Sequence, residues 1–234
     1  MTSNPTNRHP NCRRHNWLVY RNFDRNLATC TDAIRGVVLD AGCGTSPYRD
    51  FLLRFADRYI GVDWGSTQHQ ARPDVVADLN VGLPIDSQSV DTVFCISVLE
   101  HLHAPHVAIT EFARVLRPGG SLILQVPWQW HLHEVPHDYF RFTPFALRRM
   151  LADAGFSEIE ISSQGGCFSM LCLKLNYLSL RVIRGPAAVR SILTWLLWPF
   201  WYVGQSLAPV LDRLDRNWAA ETGGYFVIAH RHGA

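Results

Sequence analysis

The stretch Val37-Val38-Leu39-Asp40-Ala41-Gly42-Cys43-Gly44-Thr45-Ser46-Pro47-Tyr48 limits what this chain can fold into more than any other. It opens with apolar, mostly β-branched residues, the signature of a strand buried on both faces of a parallel sheet. An acid and two glycines follow. Pro47 then opens a helix, expected over about 47–56, because a first helical turn tolerates a missing N–H. Strand, glycine-rich turn and helix together form a place where backbone can approach a nucleotide-like ligand closely.

A second acid sharpens this reading. Asp63 ends the apolar run Tyr59-Ile60-Gly61-Val62, 23 positions after Asp40. An acid at the end of the second strand, about 20 residues on, can accept hydrogen bonds from both ribose hydroxyls. The third glycine of the dinucleotide fingerprint is missing, since Ser46 and Pro47 follow Gly44. That argues against a nicotinamide dinucleotide, whose pyrophosphate needs the close helix approach glycine allows.

Further segments follow in order: Gly61-Val62-Asp63, Asp78-Leu79, the run from Asp91 through Glu100-His101-Leu102, and Arg117-Pro118-Gly119-Gly120-Ser121-Leu122. With Leu39 to Thr45 they resemble class I S-adenosylmethionine (SAM)-dependent methyltransferases, in particular the group that includes the quinone-biosynthesis enzymes. The resemblance covers about residues 36–163 and returns at the last strand. It implies a doubly wound, mostly parallel seven-stranded α/β sheet of Rossmann-like type, its last strand antiparallel and inserted beside strand five. It also implies SAM as cofactor. Backbone at Gly42, Cys43 and Gly44 then faces the methionine part, with Asp40 nearby. Asp63 takes the ribose hydroxyls and Trp64 lies on the adenine face. Asp78 accepts from the adenine amino group, Leu79 offers its N–H, and Ser97 and Val98 border the methionine moiety.

The alternation along the chain agrees with that fold. Strands are expected at 37–41, 59–63, 75–77, 92–96, 121–126, 158–162 and 225–229. A helix is expected over 105–116 and another over 143–154. The latter has Thr143 as cap, Pro144 at its first position and Gly155 at its end. Asp91 reads as a turn residue before strand four, and Pro118-Gly119-Gly120 as a chain stop. Residues 17–34 carry apolar side chains at helical spacing, and a helix on the cofactor side is expected there. The division expected is a tail and lead-in helix to 35, a SAM-binding core over 36–165, an apolar helical insertion over 166–224, and the final strand over 225–234.

The insertion stands where related folds carry a short hairpin. Ser191 to Leu211 is uncharged and holds Trp195, Trp198, Phe200, Trp201 and Tyr202. Its length could cross a bilayer, but both ends of the insertion must return to one sheet. A helical hairpin turning at Gly185-Pro186 is expected instead. With Arg181, Arg184 and Arg190 flanking it, peripheral contact of 168–211 with an anionic membrane surface is expected. An extra packed layer or a homodimer interface is the alternative.

A net charge of +2 is too mild to argue for a nucleic-acid partner on charge alone, and none is expected. Arginines 8, 13, 14, 21 and 25 leave an RNA substrate as a lesser alternative. Six cysteines without a C-x-x-C pair read as free thiols in a reducing compartment. The first 16 residues lack the apolar core of a secretory leader. Polar residues 1–15 read as a disordered lead-in. Cytoplasmic placement, at the inner membrane face if membrane contact holds, is the expectation.

The acceptor side lies beyond the ends of strands four and five. The loop from Pro127 to Thr143 is dense in histidines and aromatics. Imidazole can take a proton near neutral pH, so His137 is the candidate base, oriented by Asp138 or Tyr139, with His133 next and His101 third. The resemblance also gives the His137-Asp138-Tyr139 run a structural role, Asp138 pairing with Arg141. The spacing of His131, His133, His137 and Asp138 matches no established zinc pattern, so no metal is expected. The function expected is methyl transfer from SAM to a small or lipid-linked hydrophobic acceptor, at oxygen. The alternatives are a catalytically silent SAM-binding subunit that docks through the insertion and a nicotinamide-dependent reductase.

Overall fold

The computed structural model describes residues 14–65 and 73–233. The lead-in expected over 1–15 falls, up to residue 13, outside them, as do Arg8, Cys12 and Arg13. In chain order the elements are α1 (Trp17–Thr29), β1 (Val37–Ala41), α2 (Arg49–Leu52), β2 (Arg58–Asp63), β3 (Val75–Val76), β4 (Val90–Ile96), α3 (Pro105–Val115), β5 (Leu116–Pro127), α4 (Pro144–Asp153), β6 (Phe156–Ser163), α5 (Cys167–Val182), α6 (Ala187–Leu211) and β7 (Gly224–Arg231). They form two units. One comprises residues 29–162 with 225–234, the other α1 with residues 163–224.

The first unit is built on a seven-stranded sheet of order β3-β2-β1-β4-β5-β7-β6. Strands β1, β2, β3, β4 and β5 pair in parallel, and the last strand, β7, is antiparallel. Leu122, Ile123 and Leu124 are all fully buried. Consecutive residues point to opposite faces, so this run reports cover on both sides of the sheet. Helix α3 buries Ala108, Ile109, Phe112 and Val115, one stripe at helical spacing. Thr143 caps α4, its Oγ1 accepting from the Ala146 N–H at 3.2 Å. The strand order reverses between β1 and β4, and a crevice opens there at the carboxyl ends of the strands.

Three expected boundaries differ by more than two residues. Helix α1 ends at Thr29, not 34. Helix α2 spans only Arg49–Leu52, not 47–56. Ser46 stands at φ +53°, and Pro47 lies in the turn it begins, so the helix starts late. Strand β5 begins at Leu116 and runs through Pro118-Gly119-Gly120, which were expected as a stop. Register passes from Val90↔Leu116 to Thr92↔Ser121, so five steps on β5 face two on β4. Gly119 at φ +73° absorbs the excess. Asp91 sits at this lower end of the sheet. It accepts from the Val37 N–H at 2.8 Å and pairs with Arg117 at 2.6 Å, in keeping with a structural role.

In the second unit α5 and α6 form the expected hairpin, turning through Gly185 at φ +113°. Helix α1 packs on this hairpin. Gln205, fully buried, accepts from the Leu18 N–H at 3.0 Å and donates to the Arg14 and Trp201 carbonyls at 3.1 Å each. Trp17 stacks on Tyr202 with centroids 6.2 Å apart. Asp212 accepts from the Gly166 and Ser169 N–H groups and the Ser169 hydroxyl, which caps the start of α5. Among the described residues no helix is long and apolar enough to cross a membrane.

Candidate functional site

A cavity of about 510 Å³ lies within the first unit, at the crevice beyond β1 and β4. Eight of the ten residues expected to hold the cofactor line it. Gly42, Gly44, Asp63 and Trp64 come from the turns after β1 and β2, Asp78 and Leu79 from the turn after β3, and Ser97 and Val98 from the end of β4.

The glycines are there for space. A Cβ on Gly42 would stand 2.2 Å from Val98 Cγ2, and its φ of +78° disfavours any other residue. Gly44, at φ +52°, has nothing within 4 Å of where a Cβ would be, so its backbone faces open cavity. Its N–H donates to Asp63 Oδ2 at 2.7 Å. This bond fixes the carboxylate at the tip of β2. Ser97 takes a left-handed φ of +54°, and its hydroxyl donates to Gln125 Oε1 at 2.6 Å. Strained backbone of this sort clusters at functional sites. Asn80 folds back on Asp78, donating to Oδ1 through both its N–H and its amide at 2.9 Å.

The remaining two expected residues lie behind the cavity wall. Asp40 is 4% exposed and receives the Tyr59 hydroxyl at 2.5 Å. Burial lifts its pKa to about 7, against the Tyr59 hydrogen bond and aided by the Asp63 charge. The Cys43 thiol is buried toward Gly61, and burial raises its pKa to about 11. Neither lines the cavity.

The acceptor loop closes the other side. His133, His137 and Tyr139 line the same cavity. The Tyr139 hydroxyl is 3.2 Å from His137 Nδ1. Trp64 meets the His137 ring edge to face, 5.1 Å between centroids. Asp138 does not orient His137. Its side chain is almost fully buried, held by Arg141 through two bonds of 2.6 and 2.7 Å, and it faces His133 Nδ1 at 3.3 Å. The Arg141 guanidinium, against the cost of burial, draws the Asp138 pKa down to about 2. Burial lowers that of His133, with Asp138 opposing.

Sequence reasoning named His101 only third and left Glu100 to the family signature. Both belong here. The turn Leu99–His101 follows β4, and the Glu100 carbonyl accepts from the Tyr139 and Phe140 N–H groups at 2.9 and 3.2 Å. Glu100 is fully buried, and neither carboxyl oxygen has a hydrogen-bond partner. Burial raises its pKa to about 8; its own main-chain N–H and the Arg141 charge oppose the rise, and the Asp138 charge adds to it. The adjacent Glu-His pair was visible in the sequence, but the burial was not.

A cleft at the strand switch point, floored by backbone at two glycines and with an acid at the tip of β2, is the layout in which α/β domains hold a nucleotide-like cofactor. Residues 39–124 match the methyltransferase domain family. In sequence and in fold the chain resembles class I SAM-dependent methyltransferases. It is 35% identical over 96 residues to a "probable S-adenosylmethionine-dependent methyltransferase" of Mycolicibacterium smegmatis, covering 38% of this chain and 37% of that protein. It is 31% identical over 105 residues to the malonyl-[acyl-carrier protein] O-methyltransferase of Yersinia pestis, covering 42% and 39%. The chain therefore spans about two fifths of the length of these relatives. Among solved structures, the [4+2]-cyclase SpnF superposes with a TM-score of 0.57 at 19% identity, covering 92% of this chain and 83% of that one. That likeness speaks for the fold alone.

Proposed function

We propose that this chain binds SAM and transfers its methyl group to a hydroxyl oxygen of a small or lipid-linked hydrophobic acceptor. One observation carries the reading: a single cavity is lined by the glycine turn and the acid of β2 on one side and by the histidine loop on the other. The residues present fit the cofactor. Gly44 leaves room for the methionine end, Asp63 stands ready for two ribose hydroxyls, and Trp64, 37% exposed, offers a flat face for adenine. Asp78 and Leu79 serve the adenine edge, and Ser97 and Val98 the methionine side. Asp40 and Cys43 support this floor from behind.

SAM supplies a sulfonium leaving group when bound, so the chain's own work is to hold, orient and exclude water. His137, positioned by the Tyr139 hydroxyl, takes the acceptor's proton. His133, positioned by Asp138, is the second candidate for that role. The aromatic lining suits an apolar acceptor body.

Delivery of such an acceptor points to the second unit. Ile192, Trp195, Phe200 and Val203 on α6 are all more than half exposed. From 161 to 211 the chain has no Asp or Glu, while Lys174, Arg181, Arg184 and Arg190 are cationic. Exposed Trp and Phe with cations only suit the anionic inner face of a membrane.

Calorimetric titration with SAM and its demethylated product tests the core of this reading. Wild type should bind at micromolar level, and Asp63→Ala should bind about 10–150-fold more weakly, since a charged hydrogen bond contributes about 1.5–3 kcal/mol. A folded wild type that binds neither ligand, with or without lipid vesicles, overturns it. Binding without turnover on any hydrophobic hydroxyl acceptor moves the reading to a silent SAM-binding subunit.

A further inference from the structure

The buried Glu100 carboxylate has two neighbours of a particular kind. His101 Nε2 lies 3.6 Å from its Oε1, and His133 Nε2 lies 3.8 Å from the same oxygen. Neither distance is a hydrogen bond. One donor atom from each of the three residues falls within 4.8 Å of the others. The edges of a tetrahedral set at zinc–ligand distances of about 2.0–2.1 Å measure about 3.4 Å, so these donors surround a space of the size a first-row ion fills.

The far nitrogens of both rings are already committed. His101 Nδ1 is 2.6 Å from the His137 carbonyl, so it carries the proton and donates. His133 Nδ1 faces Asp138 Oδ2 at 3.3 Å, and Asp138 is held in turn by Arg141. Both Nε2 lone pairs are thereby turned toward Glu100. An imidazole whose outer N–H is fixed by a carbonyl or carboxylate is the arrangement that supports metal-ligating histidines. Hydrogen bonding among the three cannot satisfy the carboxylate, and burying it unpaired is costly.

We infer that Glu100, His101 and His133 form a binding site for one divalent first-row metal ion of the zinc type, open toward the acceptor side of the cavity. His101 and His133 line that cavity, so the coordination positions not taken by protein face the place where an acceptor would sit, as in catalytic rather than structural sites. The sequence expectation of no metal rested on the spacing of His131, His133, His137 and Asp138. The present set uses only one of those residues and draws the other two from the end of β4.

The ion's role in catalysis rests on the methyl-transfer reading, whereas the site itself rests on the donor set. In that role the ion holds the acceptor oxygen and eases loss of its proton to His137. The oxygen lone pair forms the new bond to the methyl carbon, the carbon–sulfur bond breaks, and its electron pair stays on sulfur, leaving S-adenosylhomocysteine.

The test is titration of the metal-stripped full chain with Co(II) and Zn(II), read by elemental analysis and by the visible absorption of Co(II), with a SAM titration on the same sample. About one ion per chain is expected, with the Co(II) spectrum of a nitrogen and oxygen site. Glu100→Gln and His133→Gln should lose that spectrum. Asp138→Asn, which removes the carboxylate facing His133 Nδ1 but none of the three donors, should weaken binding about 10–100-fold. A wild type that binds SAM but takes up no stoichiometric ion overturns the metal site and leaves the methyltransferase reading standing. Stoichiometric uptake that Glu100→Gln and His133→Gln leave unchanged also overturns it, as an ion held elsewhere. Uptake lost in both variants, in a protein that does not bind SAM, upholds the site and removes its role in methyl transfer.

Discussion

The two units solve opposite problems with the same apolar stock. Around the sheet, large apolar side chains are hidden, Phe94, Phe112, Leu122 and Leu124 completely, and the ionisable carboxyls of Asp40 and Glu100 are buried among them. In the helical hairpin many apolar side chains face outward, Trp195 at 68% and Phe200 at 74% exposed, while polar groups such as Asn176 and Gln205 are buried together with Trp201 and Met170. Buried carboxyls with shifted pKa values of this kind cluster at functional sites. A hairpin that leaves aromatics in water is built for contact.

The contrast can be broken most sharply in the sheet unit. Phe112→Ala removes a fully buried ring from α3, and a loss of about 3–5 kcal/mol is expected in denaturant unfolding. A loss below 1 kcal/mol would mean the core is looser than the burial implies. Next in size is Asp40. Its folded pKa of about 7 stands above the ordinary value of 3.8, so the folded state holds the proton over that window and the unfolded chain does not. Stability therefore falls as pH rises from about 4 to 7, by up to about 1.4 kcal/mol per pH unit, and levels off above. Asp40→Asn should flatten that slope, as urea midpoints at pH 4.5 and 7 would reveal. An unchanged slope would assign the dependence elsewhere. The smallest effect on stability belongs to the hairpin. Phe200→Ser should move it by no more than about 0.5 kcal/mol, yet lower affinity for vesicles rich in anionic lipid about tenfold. A variant that floats with vesicles as well as wild type does would remove the membrane reading, and a concentration-dependent mass shift in wild type alone would replace it with a second copy of the chain.

The same divide governs what could be read from sequence. The strand positions, the glycine turn and the acid at the tip of β2 were legible because each is a local pattern tied to a local backbone need; the place of the last strand came from the resemblance. Gly42 needs φ above zero and Asp63 needs the end of a strand; both requirements show in a few residues. The hairpin turn at Gly185 was legible for the same reason. Partnership across distance was not. Asp138 was assigned to His137, its neighbour in sequence, whereas the chain brings it to His133. Glu100 and His101 were seen as a signature, but the closeness of His133 depends on a loop 32 residues further on folding back. The stop expected at Pro118 became part of β5, because sheet pairing overrides turn propensity when a glycine can take up the excess.

One feature of the backbone ties these regions of the cavity into a single thermodynamic object. The Glu100 carbonyl, on the turn that follows β4, receives the main-chain N–H groups of Tyr139 and Phe140. Under the proposed function, order gained by that turn when a ligand fills the Ser97–Val98 side would pass directly to the loop proposed to receive the acceptor. Linkage makes the exchange reciprocal: whatever factor the first ligand adds to the affinity for the second, the second returns to the first. Two ligands meeting in this crevice would thus each tighten the binding of the other.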